Sequence, residues 1–222
     1  MVTQINMLRV IRFSEEERQK IKSAVEDFEK DVSGELVPVF LQNSDDYPEA
    51  NWYGAALGAL TGLVSIGLAG FFWHLPSGFG MLHYLIILFV MITAGYFFPL
   101  LFSQIRVLLA GEARIEEMVR LRAMQYFLEY EVFNTVHRTG ILMFISAEEH
   151  KVVVLADSGI NSVVKTEQWE DVVHTVIDGI RKKEVSEGIL NAISKCKKLL
   201  LDNGFTSRPD DLNRLPDDLV TK

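Results

Sequence analysis

Five carboxylates stand where the sequence could build oxygen chemistry. Asp157 closes an apolar run, KVVVLADSG, with Gly159 two places on. That is the setting of an acid that holds a cation or assists hydrolysis, or else of a turn aspartate bonding its own backbone. Asp45 and Asp46 lie in SDDYPE, and Glu148 and Glu149 in the turn AEEH. Brought together, those four could form an oxygen-rich site for a divalent cation; apart, they are solvated turn residues. Cys196, the one cysteine, sits in KCKKLLLDNG on an apolar helix face and reads as a packed thiol. No arginine follows it at the spacing a cysteine phosphatase needs. The five histidines are scattered, with His74 and His83 flanking one short loop. No GxxxxGK[ST], HExxH or DxDxT motif occurs.

The elements that position these residues divide by charge. Residues 52–104 contain no Lys, Arg, Asp or Glu, although the chain of 222 residues carries 22 basic and 30 acidic ones. The net charge of −8 argues against nucleic acid, which needs a basic stripe to neutralise phosphates. Two uncharged runs, 52–73 and 82–102, each meet the roughly 20 residues required to cross a bilayer core about 30 Å thick. HLPSGFGM between them is too short for a domain, so the runs form a transmembrane hairpin with both termini on one side. Trp52, Tyr53, Trp73 and Tyr84 stand at headgroup level. Arg106 and Arg114 follow the second run, and the loop has no basic residue, which predicts cytoplasmic termini by the positive-inside rule. Gly54, Gly58 and Gly62 form a ridge that allows close backbone approach. It packs on the second span, or on another subunit or partner.

Before the spans, Ser14 and Glu17 fit a capping box for a helix whose apolar face is Ile21, Val25, Phe28 and Val32, with Gly34 as its stop. ELVPVFLQ follows as a strand, placed at an edge or bulge by Pro38. After the spans, 103–133 reads as helix, a continuation of the second span, with Val119, Ala123, Tyr126, Phe127, Tyr130 and Phe133 as its apolar face. TGILMFIS is a strand buried on both faces, and KVVVLADSG returns from it. Thr166 caps a helix bearing Trp169, Ser186 caps another ending at Gly204, and the tail is extended. Neither soluble piece has enough partners alone. Joined, they make one α+β domain, α-β-[TM hairpin]-α-β-β-α-α, with the first two strands parallel across the crossover. The divisions are 1–48 and 105–204 for the soluble domain, 49–104 for the hairpin and 205–222 for the tail. Asp45, Asp46, Glu148 and Glu149 then fall at the membrane-proximal end, and Asp157 at the opposite one.

This order of elements, with Arg138-Thr139-Gly140-Ile141 entering the second strand, Asp157-x-Gly159-Ile160 leaving the third and Trp169 on the next helix, resembles the TPM-domain family. FTSRPDDLNRLPDDL resembles the tail of a bacterial subgroup with an internal transmembrane hairpin. The resemblance implies a TPM-like fold in a bacterial inner-membrane protein. It also implies phosphatase-like activity with divalent-cation sites, often for calcium, or an assembly or auxiliary role. LemA-type membrane proteins are frequent companions. Many relatives have two asparagines where this chain has Arg138 and Thr139, and many place the domain outside the cytoplasm.

Two functions follow. The missing catalytic motifs and the close membrane tether favour a non-enzymatic adaptor, assembling with itself or with another membrane protein. The other is a cation-dependent, phosphatase-like hydrolase centred on Asp157.

Overall fold

The capping box is present at the start of helix α1 (Glu15–Asp31). Ser14 Oγ accepts from Glu17 N at 3.2 Å, and the Glu17 carboxylate accepts from Ser14 N at 2.8 Å. Ile21, Val25 and Phe28 are its buried face. The helix ends on an extended Val32, which bridges to Thr206, so Gly34 is not its stop. Gly34 is instead a point of close approach: a Cβ there would lie 3.0 Å from the Thr139 carbonyl oxygen.

These features belong to a computed structural model that describes residues 11–72, 80–208 and 215–221. The chain separates into two units, Asp45–Ile115, and Val10–Ser44 together with Glu116–Lys222. The second is an α+β fold on a four-stranded sheet of order β3-β2-β1-β4. Strand β1 (Glu35–Leu41) pairs parallel with β2 (Gly140–Ser146), which pairs antiparallel with β3 (Lys151–Ala156). The parallel pair is the one expected from the crossover. The tail is not simply extended: Val220–Thr221 forms β4, parallel to β1 opposite Val39 and Phe40. Pro38 therefore lies in the second strand from the edge rather than in the edge strand. The two-residue β4 leaves the edge beside Pro38 without a ladder partner, which suits a residue that has no N–H.

All seven residues of β2 are buried, because both faces of the sheet are covered. Ile141, Met143 and Ile145 join Leu36 and Phe40 in a core with α1, α7 (Glu170–Lys182) and α8 (Val185–Asp202). The alternate residues Leu142 and Phe144 point the other way. There Phe144 meets Tyr126 of α5 (Glu112–Glu129), with ring centroids 5.7 Å apart. A short helix, α6 (Ser158–Asn161), and a 3-10 turn, Thr166–Trp169, lead from β3 to α7. Thr166 is thus inside the turn rather than the cap of α7, and Gln168 bonds the Lys165 N–H. Ser186 is likewise within α8, not at its cap. Gly204, at φ 86°, does stop that helix. Cys196 is buried and free; burial pushes its thiol well above the usual range.

In the other unit, α2 (Glu49–Phe72) and α3 (Met81–Leu101) are each long and apolar enough to cross a membrane. Their outward residues are exposed, Phe71 by 81% and Phe89 by 69%, unlike those of a soluble core helix. Trp73 and His74 lie outside the described residues. The helix after α3 is not a continuation of it. Phe102 is extended, three residues after Pro99, and separates α3 from α4 (Ser103–Ala110). Gly111, at φ 83°, then separates α4 from α5.

Candidate functional site

The two sequence motifs meet as backbone packed on backbone. Asp157 N donates to Gly140 O, and Gly159 N to Arg138 O, each at 2.9 Å. A Cβ on Gly159 would stand 2.5 Å from His137 O, and one on Gly140 would overlap Val132 O. Both glycines are required by proximity rather than by chain reversal. Arg138 holds φ 57°, a left-handed conformation in which asparagine is several-fold enriched. Its side chain reaches Phe133 O at 3.1 Å and lies over the Phe133 ring.

Asp157 is only 6% exposed. Its Oδ1 accepts from Ser158 N at 2.6 Å, the bond of a turn aspartate to its own backbone. Its Oδ2 lies 2.9 Å from Nε of Arg138. That contact is a charge pair and not an aligned hydrogen bond, since no N–H is directed at Oδ2. Trp169, the remaining motif residue, is buried in the core.

The other acids are divided by their partners. Glu149 is 6% exposed, not a solvated turn residue. Its carboxylate accepts from Ser44 N at 2.8 Å and from Ser146 Oγ at 2.6 Å. Glu148 accepts from Gln42 Nε2 at 3.4 Å. Both stand at the β2–β3 turn, at the opposite end of the sheet from Asp157. Asp45 and Asp46 belong to the helical unit, where Arg114 lies 3.9 Å from Asp45 and 3.0 Å from Glu49, and Arg106 reaches the Asp46 carbonyl. Among the described residues, no three His, Cys, Asp or Glu side chains are grouped to hold a metal ion. The five acids singled out from the sequence are thus not brought together in one place among the described residues, and no chemistry is derived through a cation.

The glycine ridge has its partner in the same chain. Cβ atoms on Gly54 and Gly58 would lie 2.3 Å from Gly95 O and Met91 O of α3, and one on Gly62 would touch Leu88 and Met91. Of the two readings of the ridge, packing on the second span is the one observed.

A feature not foreseen from the sequence is an open cavity of about 340 Å³ at the N-terminal ends of β1 and β2. Glu26, Glu29 and Lys30 of α1, Glu35 of β1, His137 and Thr139 before β2, and Asp217 of the tail line it. Glu35 accepts from Leu215 N at 2.7 Å, and Glu29 from Leu36 N at 3.2 Å. Burial pushes the Glu29 carboxyl up to about 8; Asp217 and Glu35 add to the rise, and the Leu36 N–H opposes it. Signals for this site were in the sequence: acids one turn apart on α1, and Glu35 opening an otherwise apolar strand.

Residues 103–199 match the family model described as TPM domain. The fold is similar to the NMR structure of BA42 protein from the psychrophilic bacterium Bizionia argentinensis, at 19% identity and a TM-score of 0.57. That similarity covers 97% of this chain and 99% of the other. No curated protein matches the chain.

Proposed function

Because the chain carries a TPM domain joined to two helices long and apolar enough to span a membrane, we propose that it is a membrane-anchored adaptor. The soluble unit docks a partner while the hairpin holds it at the bilayer. Both termini lie on one side, which the basic residues after the second span assign to the cytoplasm. The partner is a further copy or another membrane protein, LemA-type proteins being the class the family resemblance brings forward. The observation that carries this reading is the burial of Asp157. The acid best placed for chemistry is 6% exposed and engaged by Ser158 N and Arg138, leaving a substrate no approach to it.

The test is purification from native membranes in mild detergent, with the mass of the complex measured by light scattering and its subunits identified. A stoichiometric assembly is expected; a lone monomer overturns the reading. The competing hydrolase draws on the same Asp157, whose Oδ2 has no aligned donor. It requires cation-dependent phosphate release that disappears in Asp157→Ala while circular dichroism shows the fold intact.

A further inference from the structure

We propose that the junction between the start of α2 and helix α4 binds the headgroup of a phosphatidylethanolamine. The inference rests on the membrane anchoring in the reading above and not on the partner. Among the described residues, three buried side-chain polar atoms have no hydrogen-bond partner, and two of them, Asn51 Oδ1 and Arg106 Nε, belong to this junction. Asn51 is 9% exposed, and its backbone N–H is already bonded to Pro48 O at 3.3 Å. Arg106 extends Nη1 to Asp46 O, 3.5 Å away, which brings α4 against the turn that opens α2. Asn51 stands one turn before Gly54, whose Cβ would meet Pro99 Cγ at 3.0 Å. The antiparallel packing of α2 on α3 therefore carries Asn51 toward the break at Phe102 and the start of α4.

One unmatched atom accepts and the other donates, and each is costly while buried. A guest must supply an acceptor to Arg106 and a donor to Asn51. A phospholipid phosphate supplies the first, and an ethanolamine ammonium the second. Phosphatidylcholine offers no donor, because its nitrogen is fully methylated. Local charge disfavours an anionic headgroup: Asp45, Asp46 and Glu49 outnumber Arg106 and Arg114 around the junction. The surroundings are those of the headgroup layer. Trp52 and Tyr53 are exposed on the first turn of α2, where amphipathic rings suit an interface. Leu101 and Leu108 carry the exposed apolar surface of α3 past its end, Leu108 by 78%.

The test uses the full chain in detergent micelles. Phosphatidylethanolamine, phosphatidylcholine and phosphatidylglycerol of matched acyl chains are titrated in, and native mass spectrometry counts the lipid retained. One phosphatidylethanolamine should be held at least tenfold more tightly than the other two. Asn51→Leu and Arg106→Lys should each weaken it about tenfold, the loss of roughly one charge-assisted bond. Arg106→Lys keeps the charge and loses Nε, so a contact made by charge alone would not respond to it. Asn51→Leu removes an unmatched buried atom, so its melting temperature in lipid-free micelles should not fall. A fall there would mean that Asn51 is bonded within the protein, and the site would be withdrawn. Arg120→Lys, at an exposed position of α5, should change nothing. Equal affinity for the three lipids, indifference to both junction variants, as when the two atoms meet only water, or an equal loss in the Arg120 variant would each overturn the proposal. Flotation with phosphatidylethanolamine vesicles tests the anchoring separately. A protein that floats yet prefers no lipid loses the site and keeps the anchor, whereas one that does not float loses both.

Discussion

Glu29 is a carboxyl that burial pushes upward in titration, and its sign is testable. In the unfolded chain it loses its proton near the ordinary 4.5, and in the folded protein only near 8. The folded state therefore binds the extra proton across that window, and the contribution of Glu29 to stability falls as pH rises from about 4.5 to about 8. Glu29→Gln removes the dependence. Melting temperatures of wild type and variant should diverge between pH 5 and 8, with the variant gaining, and run parallel above. A constant difference would mean that Glu29 titrates normally. At the motif junction, Gly159→Ala drives a methyl into the carbonyls of His137 and Arg138 and should cost about 1–3 kcal/mol in denaturant unfolding. Asp157→Ala removes the bond to Ser158 N and should cost about 1 kcal/mol. The sequence did mark this junction: Gly140, Asp157 and Gly159 were legible as special. Their reason was not, because the backbone approach they permit joins segments distant along the chain.

Among elements, those specified by neighbours in sequence were the legible ones. Ser14 and Glu17 bond each other within one turn, TGILMFIS is apolar between its ends, and the runs 52–73 and 82–102 carry no charge. Boundaries set by distant contacts were not legible. Gly34 looked like a helix stop but answers to the Thr139 carbonyl, and β4 exists only because β1 offers it an edge. The breaks at Phe102 and Gly111 lay partly in view, since Pro99 and a glycine announce them. The hairpin supplies a controlled contrast. Gly58→Leu places a side chain against Met91 O, whereas Gly67 has nothing within 4 Å. Gly58→Leu should lower the thermal stability of the hairpin in detergent by several degrees, and Gly67→Leu should leave it unchanged. Equal effects would show that the ridge does not hold α2 to α3.

At the scale of the molecule, the sheet-bearing unit is assembled from two stretches with the helical pair between them in sequence. Gln42 and Glu148, which bond across the ends of β1 and β2, are 106 residues apart. At synthesis rates of about 5–20 residues per second, the strand Glu35–Leu41 waits roughly 5–20 s for its neighbour. Through that interval its seven residues, all destined for burial, have no sheet to join. Completion of the domain thus waits on synthesis of the helical pair, and a high contact order is built into the chain's linear order. A chain truncated after Ala110 should be degraded or aggregated at the membrane, and pulse-labelling with protease challenge would show protection of Glu35–Leu41 arising only once Ser146 has left the ribosome.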